Sequence, residues 1–426
     1  MIKVVTIVGA RPQFIKAATV SRAIARFNQN TGQQKQIHEV IVHTGQHYDA
    51  NMSRIFFEEL QIPAPDYNLG IGSGGHGLQT GRMLGAIEEV LLKEKPQVVI
   101  TYGDTNSTAA GVLAAVKLHI PSAHIEAGLR SYNRRMPEEI NRLIADELSN
   151  ILFCPTQTAV SNLEKEGIVS NYAAELCELD LDHRLVRNAG DVMYDSILFN
   201  KALAEEKSDI LGQLNLLIDN AAGGSQKNQP GNVKPYFLAT VHRAENTDEL
   251  DKLQSIFDAF QQIADAGYDV ILPMHPRTRA RIKAAGFPFD RLNPVEKRGS
   301  LRLIAPIGYL DMIRLESQAK AILTDSGGVQ KEAFLLRIPC ITLREETEWV
   351  ETVASGWNIL TGCDADKIGQ AFSRISRWNG TGQPLGCADA QRRKTNQSAP
   401  GAAIGTPYGT GAAATTIVDT LAASFF

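Results

Sequence analysis

Short apolar, β-branched runs recur along the chain, each followed by a loop and then a helical pattern, and this rhythm occurs in two series. The first covers residues 4–8, 40–43, 98–102, 123–125 and 151–154; the second covers 237–240, 270–272, 301–304, 321–324 and 340–343. Helical patterns intervene, as at 82–93 and 138–149. Strands alternating with helices predict parallel sheets wound on both faces, so two series predict two doubly wound, Rossmann-like α/β domains. A length of 426 residues also exceeds what one core usually holds. The expected division is 1–188, 189–399 and a terminal segment 400–426 whose helical pattern at 414–421 packs back on the first domain. Residues 220–234, the acidic stretch 175–183 and the Gly/Ala/Gln/Thr-rich region 378–411 read as loops or insertions.

Composition narrows the function classes. Net charge is −4 and the basic residues are scattered, which excludes the clustered Lys/Arg footprint of a nucleic-acid binder. Five cysteines, odd in number and never in a C-x-x-C pair, predict a reduced, cytoplasmic protein with neither a disulfide framework nor a zinc site. The first apolar run is too short for a signal peptide, and no stretch reaches the roughly 20 apolar residues of a membrane span. His43 and His47 are four apart, but the intervening glycine and the missing third ligand argue against a metal pair.

Position identifies the chemistry. In open parallel sheets ligands bind beyond the carboxyl ends of the strands, and the unusual polar residues cluster there. After 4–8 come a glycine turn, Arg11 and Lys16, suited to an anion such as a pyrophosphate, or to nothing more than a solvated helix face. After 98–102 comes Asp104, which fits either a catalytic carboxylate or the N-cap of the next helix. Glu126 follows 123–125, where a carboxylate needs partners to be buried. Glu138 and Arg142 stand four apart behind Pro137, spacing that also suits a simple ion pair. In the second series, His242 and Arg243 follow 237–240. Ser326, Gly327 and Gly328 open a helix whose backbone N–H groups can meet a phosphate, with Glu332 placed to accept from ribose hydroxyls. His275 more readily lines a cleft or caps a strand than ligates a metal. There is no G-x-G-x-x-G or G-x-x-x-x-G-K-[ST] motif.

Together the motifs GARPQFIKAA, TGQHYD, GDTNST, HIEAGLR, PEEINR, TVHRAEN, DSGGVQKEA and LREETEW resemble, in the same order, the non-hydrolysing UDP-N-acetylglucosamine 2-epimerases. The resemblance runs from residue 2 to about residue 360 and resumes at Pro407-Tyr408-Gly409. It implies two Rossmann-like domains facing a cleft, the GT-B architecture, a homodimer, and a UDP-activated amino sugar as ligand, with no cofactor. Carried over motif by motif, Ser326, Gly327, Gly328 and Glu332 would hold UDP, Met312 would pack on the uracil, and Arg11, Lys16 and His242 would lie near the diphosphate. Asp104, Glu126 and Glu138 would be the catalytic carboxylates, with His242 beside them. Arg142, Arg243 and Arg344 are further cleft candidates. Gln46 and His275 match an allosteric UDP-sugar site of bacterial members, whose other polar positions differ here around Asp49 and His76. Other departures are Trp349, where an arginine often stands, and Thr410 in place of an aspartate.

The residue types suit the task that the resemblance implies. C2 of a hexose adjoins no carbonyl, so its proton is not acidic. Elimination of UDP across C1–C2 and re-addition to the other face needs several carboxylates for proton transfer and fixed positive charge for the departing diphosphate. Motifs close to a subgroup acting on UDP-2,3-diacetamido-2,3-dideoxyglucuronate leave the sugar open. The alternatives are a glycosyltransferase of the same architecture, a hydrolysing epimerase and a non-catalytic sugar-nucleotide sensor.

Overall fold

Both apolar series fold into parallel sheets. The computed structural model describes residues 1–32, 35–45, 63–172, 180–218, 233–274, 276–284, 299–378 and 407–426. By internal packing the chain forms two units, Met1–Leu198 with Thr406–Phe426, and Phe199–Gly405.

In the first unit β1 (Ile2–Val8), β2 (Ile37–His43), β3 (Tyr67–Asn68), β4 (Val98–Tyr102), β5 (Ser122–Ile125), β6 (Ile151–Cys154) and β7 (Leu185–Asn188) pair in the order β3-β2-β1-β4-β5-β6-β7. Every pairing is parallel. The helices are α1 (Arg11–Asn30), α2 (His76–Glu94), α3 (Asn106–Lys117), α4 (Pro137–Leu148), α5 (Gln157–Lys165) and α6 (Val192–Lys207). Val5 and Ile7 of β1 and Val40 and Val42 of β2 stand two apart, so each pair shares one face of the sheet. They pack with Met83, Ile87 and Leu91 of α2 and Ala110 and Ala114 of α3. Each fully buried Val, Ile, Leu or Met among them contributes about 1.5–3 kcal/mol.

The second unit repeats the plan. Strands β8 (Tyr236–Thr240), β9 (Asp269–Pro273), β10 (Leu301–Ile304), β11 (Ala321–Thr324), β12 (Cys340–Thr342) and β13 (Asn358–Leu360) pair in the order β10-β9-β8-β11-β12-β13, again all parallel. Between and after them come α7 (Ile210–Gln213), α8 (Ala244–Thr247), α9 (Leu250–Asp265), α10 (Pro276–Ala284), α11 (Tyr309–Gln318), α12 (Gly327–Leu335), α13 (Val350–Ala354) and α14 (Ala365–Arg377). Phe237, Phe257, Phe260, Val270, Leu323 and Ile368 lie in its core. Both sheets thus have a point where strand order reverses, between β1 and β4 and between β8 and β11.

The ten apolar runs are strands, several beginning a few residues earlier than expected. β3, β7 and β13 were not legible as runs. Each is an outermost strand, paired on one side only, and carries half-exposed residues instead of a continuous apolar stretch. The division between units falls inside α6, between Leu198 and Phe199, rather than at 188/189. The last helix, α15 (Ala413–Phe425), packs on α1. Its first N–H groups, on Ala413 and Ala414, donate to the Asp195 carboxylate at 3.1 and 2.8 Å. The segment 220–234 lies mostly outside the described residues, and an antiparallel bridge pairs Leu217 with Val233 at its edges. Most of 378–411 and of 175–183 also lies outside them. No described helix is long and apolar enough to cross a membrane.

Candidate active site

At the reversal in the first sheet, β1 and β4 end side by side. Gln13, in the first turn of α1, ties them together. Its Oε1 accepts from the N–H groups of Gly9 and Ala10 at 2.8 and 3.0 Å, and its Nε2 donates to the Tyr102 carbonyl at 2.7 Å. Gly9 has no room for a side chain: a Cβ would sit 2.1 Å from Ser107 Oγ and 2.3 Å from Thr44 Oγ1, two hydroxyls hydrogen-bonded across it at 2.8 Å. Arg11 opens α1 at this point; its side chain, Gln46 and His275 lie outside the described residues.

Lys16 and Glu126, distant in sequence, form a largely buried ion pair. Gly103, at φ +59°, passes close by: a Cβ on it would lie 3.2 Å from Glu126 Oε2 and 3.5 Å from Lys16 Nζ. Glu126 itself takes φ +79°, an uncommon backbone state for a residue with a side chain, at the end of β5. Asp104, with its side chain about one-third exposed, pairs with Arg142. It does not cap α3. Thr105 does, its hydroxyl accepting from Thr108 N–H at 3.3 Å. A hydroxyl one residue later took the role the sequence also offered to Asp104, which leaves the carboxylate for Arg142.

Arg142 does not pair with Glu138. Its other nitrogen donates to Glu139 at 2.7 Å, one helical step closer. Glu138 stands exposed in the first turn of α4, while Glu139 is buried. Burial alone would raise the Glu139 pKa. The Ser131 N–H and hydroxyl, the Arg142 charge and the Tyr132 N–H outweigh it and hold the group below its ordinary value.

Beneath the carboxylates lies a buried polar chain that sequence reasoning missed. His124, on β5, meets the Gly103 carbonyl through Nε2 and Asp146 through Nδ1, each at 2.7 Å. A carbonyl only accepts, so Nε2 carries a hydrogen. Asp146 also accepts from Gly128 N–H at 3.0 Å and from Arg130 at 2.6 Å, and Arg130 pairs with Glu166. Burial would push the Asp146 carboxyl up, but the His124 bond and charge, then Arg130, keep it low. The signal available in sequence was a histidine in the middle of a strand that otherwise reads as apolar.

The second reversal is built differently. Asp325, fully buried after β11, receives the N–H groups of His242 and Arg243 at 3.0 and 2.9 Å and the Asn246 amide at 3.1 Å. One carboxylate therefore fixes the loop after β8, leaving the Arg243 side chain exposed and the His242 ring half-buried with Nδ1 3.6 Å from Asp325. Ser326 caps α12. The Gly327 carbonyl takes a 2.8 Å bond from Trp349 Nε1, and Lys331 Nζ sits 4.2 Å from the centre of that indole. Trp349 is thus a strut under the turn. A Cβ on Gly327 would strike Glu348 Oε1 at 2.2 Å, whereas one on Gly328 would meet nothing nearer than Ser326 Oγ at 3.8 Å. The Glu348 carboxylate is the far end of an exposed side chain that can swing aside, so protein packing forbids a methyl at neither position. Glu332 is buried and accepts from the Tyr309 hydroxyl at 3.1 Å. Met312 packs, half-buried, on a core cluster with Leu211 and Ile322. Arg344 pairs with Glu348 at 3.1 Å. Among the described residues, no three His, Cys, Asp or Glu side chains assemble as a metal site.

Each unit therefore brings its own predicted residues together: Lys16 with Glu126 and Asp104 with Arg142 in the first, and His242, Ser326, Gly327 and Gly328 around Asp325 in the second. Chemically, the first can move protons and the second can bind an anion through N–H groups at a helix start.

The chain is similar to known proteins over most of its length. Residues 29–422 match the family described as UDP-N-acetylglucosamine 2-epimerase. A UDP-N-acetylglucosamine 2-epimerase homolog of Methanococcus maripaludis is 52% identical over 378 residues, 88% of this chain and 92% of that one. The UDP-2,3-diacetamido-2,3-dideoxy-D-glucuronate 2-epimerase of Pseudomonas aeruginosa is 50% identical over 366 residues, 86% and 90% of the two chains. The crystal structure of the Methanocaldococcus jannaschii UDP-GlcNAc 2-epimerase in complex with UDP-GlcNAc and UDP is 40% identical and aligns with a TM-score of 0.74 over 98% of this chain and 99% of that one.

Proposed function

The chain belongs to the UDP-N-acetylglucosamine 2-epimerase family, and we propose that it inverts C2 of a UDP-activated 2-acetamido sugar by eliminating UDP and adding it back. The observation that carries this mechanism is the pair of carboxylates, Asp104 and Glu126, at the ends of neighbouring strands β4 and β5, each matched to its own cation.

In the forward half, a carboxylate takes the C2 proton. The C2–H electrons become the C1=C2 double bond, and the C1–O bond breaks with its electron pair leaving on UDP. The product is a 2-acetamidoglucal. In the return half, the UDP oxygen adds to C1 and a proton is delivered to C2 from the opposite face. Atoms and electrons balance without a redox cofactor. Such proton transfers are each worth about 10²–10⁴-fold in rate. Glu138, exposed at the start of α4, is the third carboxylate of the proposal. Arg11, Lys16, His242 and the N–H groups at the start of α12 stabilise the departing diphosphate. Gly328 leaves room for it, Glu332 accepts from the ribose and Met312 packs on the uracil. The product would serve as a precursor of surface polysaccharide. We also assign a homodimer, on the family resemblance, and a cytoplasmic setting, on the scattered cysteines.

A second substrate has a specific observation behind it. The 50% identity to the Pseudomonas aeruginosa enzyme favours a diacetamido uronic acid handled by the same steps.

Incubation with UDP-N-acetylglucosamine in D₂O separates these readings. The first predicts UDP-N-acetylmannosamine carrying deuterium at C2, with no acceptor added. Free N-acetylmannosamine with stoichiometric UDP would replace epimerisation by hydrolysis. An inert UDP-N-acetylglucosamine beside a turned-over UDP-diacetamidoglucuronate would establish the second substrate.

A further inference from the structure

Glu316 lies on α11 with 0% of its surface exposed, and neither side-chain oxygen meets a donor among the described residues. A bare carboxylate in that setting costs several kcal/mol. Its neighbours do not relieve the cost. Across from it on α12 is Glu332, another carboxylate. From β8 comes Tyr236, whose hydroxyl is spent on the Leu315 carbonyl at 2.5 Å. From β12 comes the Cys340 thiol, 3.8 Å from Thr342 Oγ1. On its own helix, Arg314 faces Glu205 at 4.0 Å.

The helix geometry shows what Glu316 is doing there. Tyr309 and Glu316 are seven residues apart on α11, two turns, and so share a face. Tyr309 donates to Glu332 at 3.1 Å, which fixes that face toward α12, and the two helices are in contact. Written as two carboxylates, Glu316 and Glu332 have only acceptors to offer each other. One proton turns the contact into a hydrogen bond. Glu332 already accepts from Tyr309 and is the slightly exposed member, so the proton belongs on Glu316.

We infer that Glu316 is a positioning residue: as a neutral acid it donates to Glu332 and, with Tyr309, holds that carboxylate with its remaining lone pairs turned to the ribose hydroxyls of a uridine nucleotide. Burial, then the neighbouring Glu332 charge and hydrogen bond, push the Glu316 carboxyl well above its usual range, in agreement with this geometry. The ribose part of the inference rests on the nucleotide assignment made above; the shared proton does not.

Two measurements on the full chain test it. Infrared difference spectra of the wild type against Glu316→Gln at neutral pH, without ligand, should show a D₂O-sensitive carbonyl stretch of a neutral carboxylic acid that the variant lacks, and UDP should shift it. Subtraction of the variant isolates this group from other carboxyls such as the half-buried Glu39. Affinities for UDP and for 2′,3′-dideoxy-UDP should then differ in the wild type. Glu316→Gln, whose amide still donates, should keep that preference, while Glu316→Leu, with no donor, should lose about 10-fold of it. A melting curve checks that each variant folds. A carboxylate band in place of the neutral-acid band would overturn the shared proton, and an unchanged ribose preference in Glu316→Leu would overturn the positioning role. Wild type that binds neither nucleotide yet keeps the neutral-acid band would overturn the nucleotide assignment and the ribose role with it.

Discussion

The two strand reversals share a topology and differ in what they offer a ligand. After β4 and β5 the chain presents carboxylates, each held by a side-chain cation, Asp104 by Arg142 and Glu126 by Lys16. After β11 the first carboxylate, Asp325, is turned inward and consumed by backbone N–H groups. What remains at the surface of that loop is the start of α12. The difference is set by the first two or three residues past each strand. Gly-Asp-Thr lets threonine take the cap and frees the aspartate; Asp-Ser-Gly-Gly gives the cap to serine and buries the aspartate. On the assignments proposed above, the same fold is thereby equipped once for proton transfer and once for anion binding.

The largest expected effect breaks the first half of this contrast alone. Glu126→Gln should lower kcat by about 10²–10⁴-fold while UDP affinity stays within a few-fold, since Glu126 is assigned to the C2 proton and not to UDP. Parallel losses in turnover and in UDP affinity, read by steady-state kinetics and titration calorimetry, would abolish the division.

Next is the polar chain under the carboxylates. Asp146→Ala strands the buried Arg130 and His124 and should destabilise the first unit by about 3–5 kcal/mol. Its pH signature has a definite sign. Asp146 and Glu139 are held below their ordinary values, so their contributions are complete above the unfolded-state carboxylate pKa and fade as pH falls through the lowered folded-state values. Asp146→Ala should therefore flatten the acid limb of a melting-temperature profile; an unchanged limb would show that the chain contributes nothing there.

The smallest effect sharpens the contrast through two glycines. Gly9→Ala pushes a methyl into two hydroxyls and should cost about 1–3 kcal/mol. Gly328→Ala meets no protein atom and should leave melting within about 0.5 kcal/mol, yet weaken UDP by 10-fold or more, about 1.4 kcal/mol. Equal affinity for UDP in Gly328→Ala would remove the start of α12 from the nucleotide site.

Much of this was legible in the sequence because a buried parallel strand is apolar on both faces and announces itself. β7, with Arg187 and Asn188 in its four residues, does not. The site was legible as positions and not as partnerships. Lys16 and Glu126 each stood out, but their pairing depends on α1 and β5 being brought together by the sheet. Arg142 had two glutamates and an aspartate within reach on paper, and only the fold chose Asp104 and Glu139 over Glu138. Asp146 and Glu316 were invisible for a different reason: in one dimension a buried polar residue looks like an exposed one.

The placement of α15 has a consequence for biosynthesis. The first unit is discontinuous, and its closing piece, Thr406–Phe426, leaves the ribosome only after the whole of the second unit. Until then the face of α1 that meets α15 is uncovered, and Asp195 lacks the N–H groups it receives in the finished protein. On the assignments proposed above, the unit given the nucleotide can therefore be complete while the unit given the acids and bases still lacks α15. Under those assignments competence for the sugar chemistry would follow competence for the nucleotide, and a chain cut before residue 406 would seat UDP without an assembled first unit to act on the sugar.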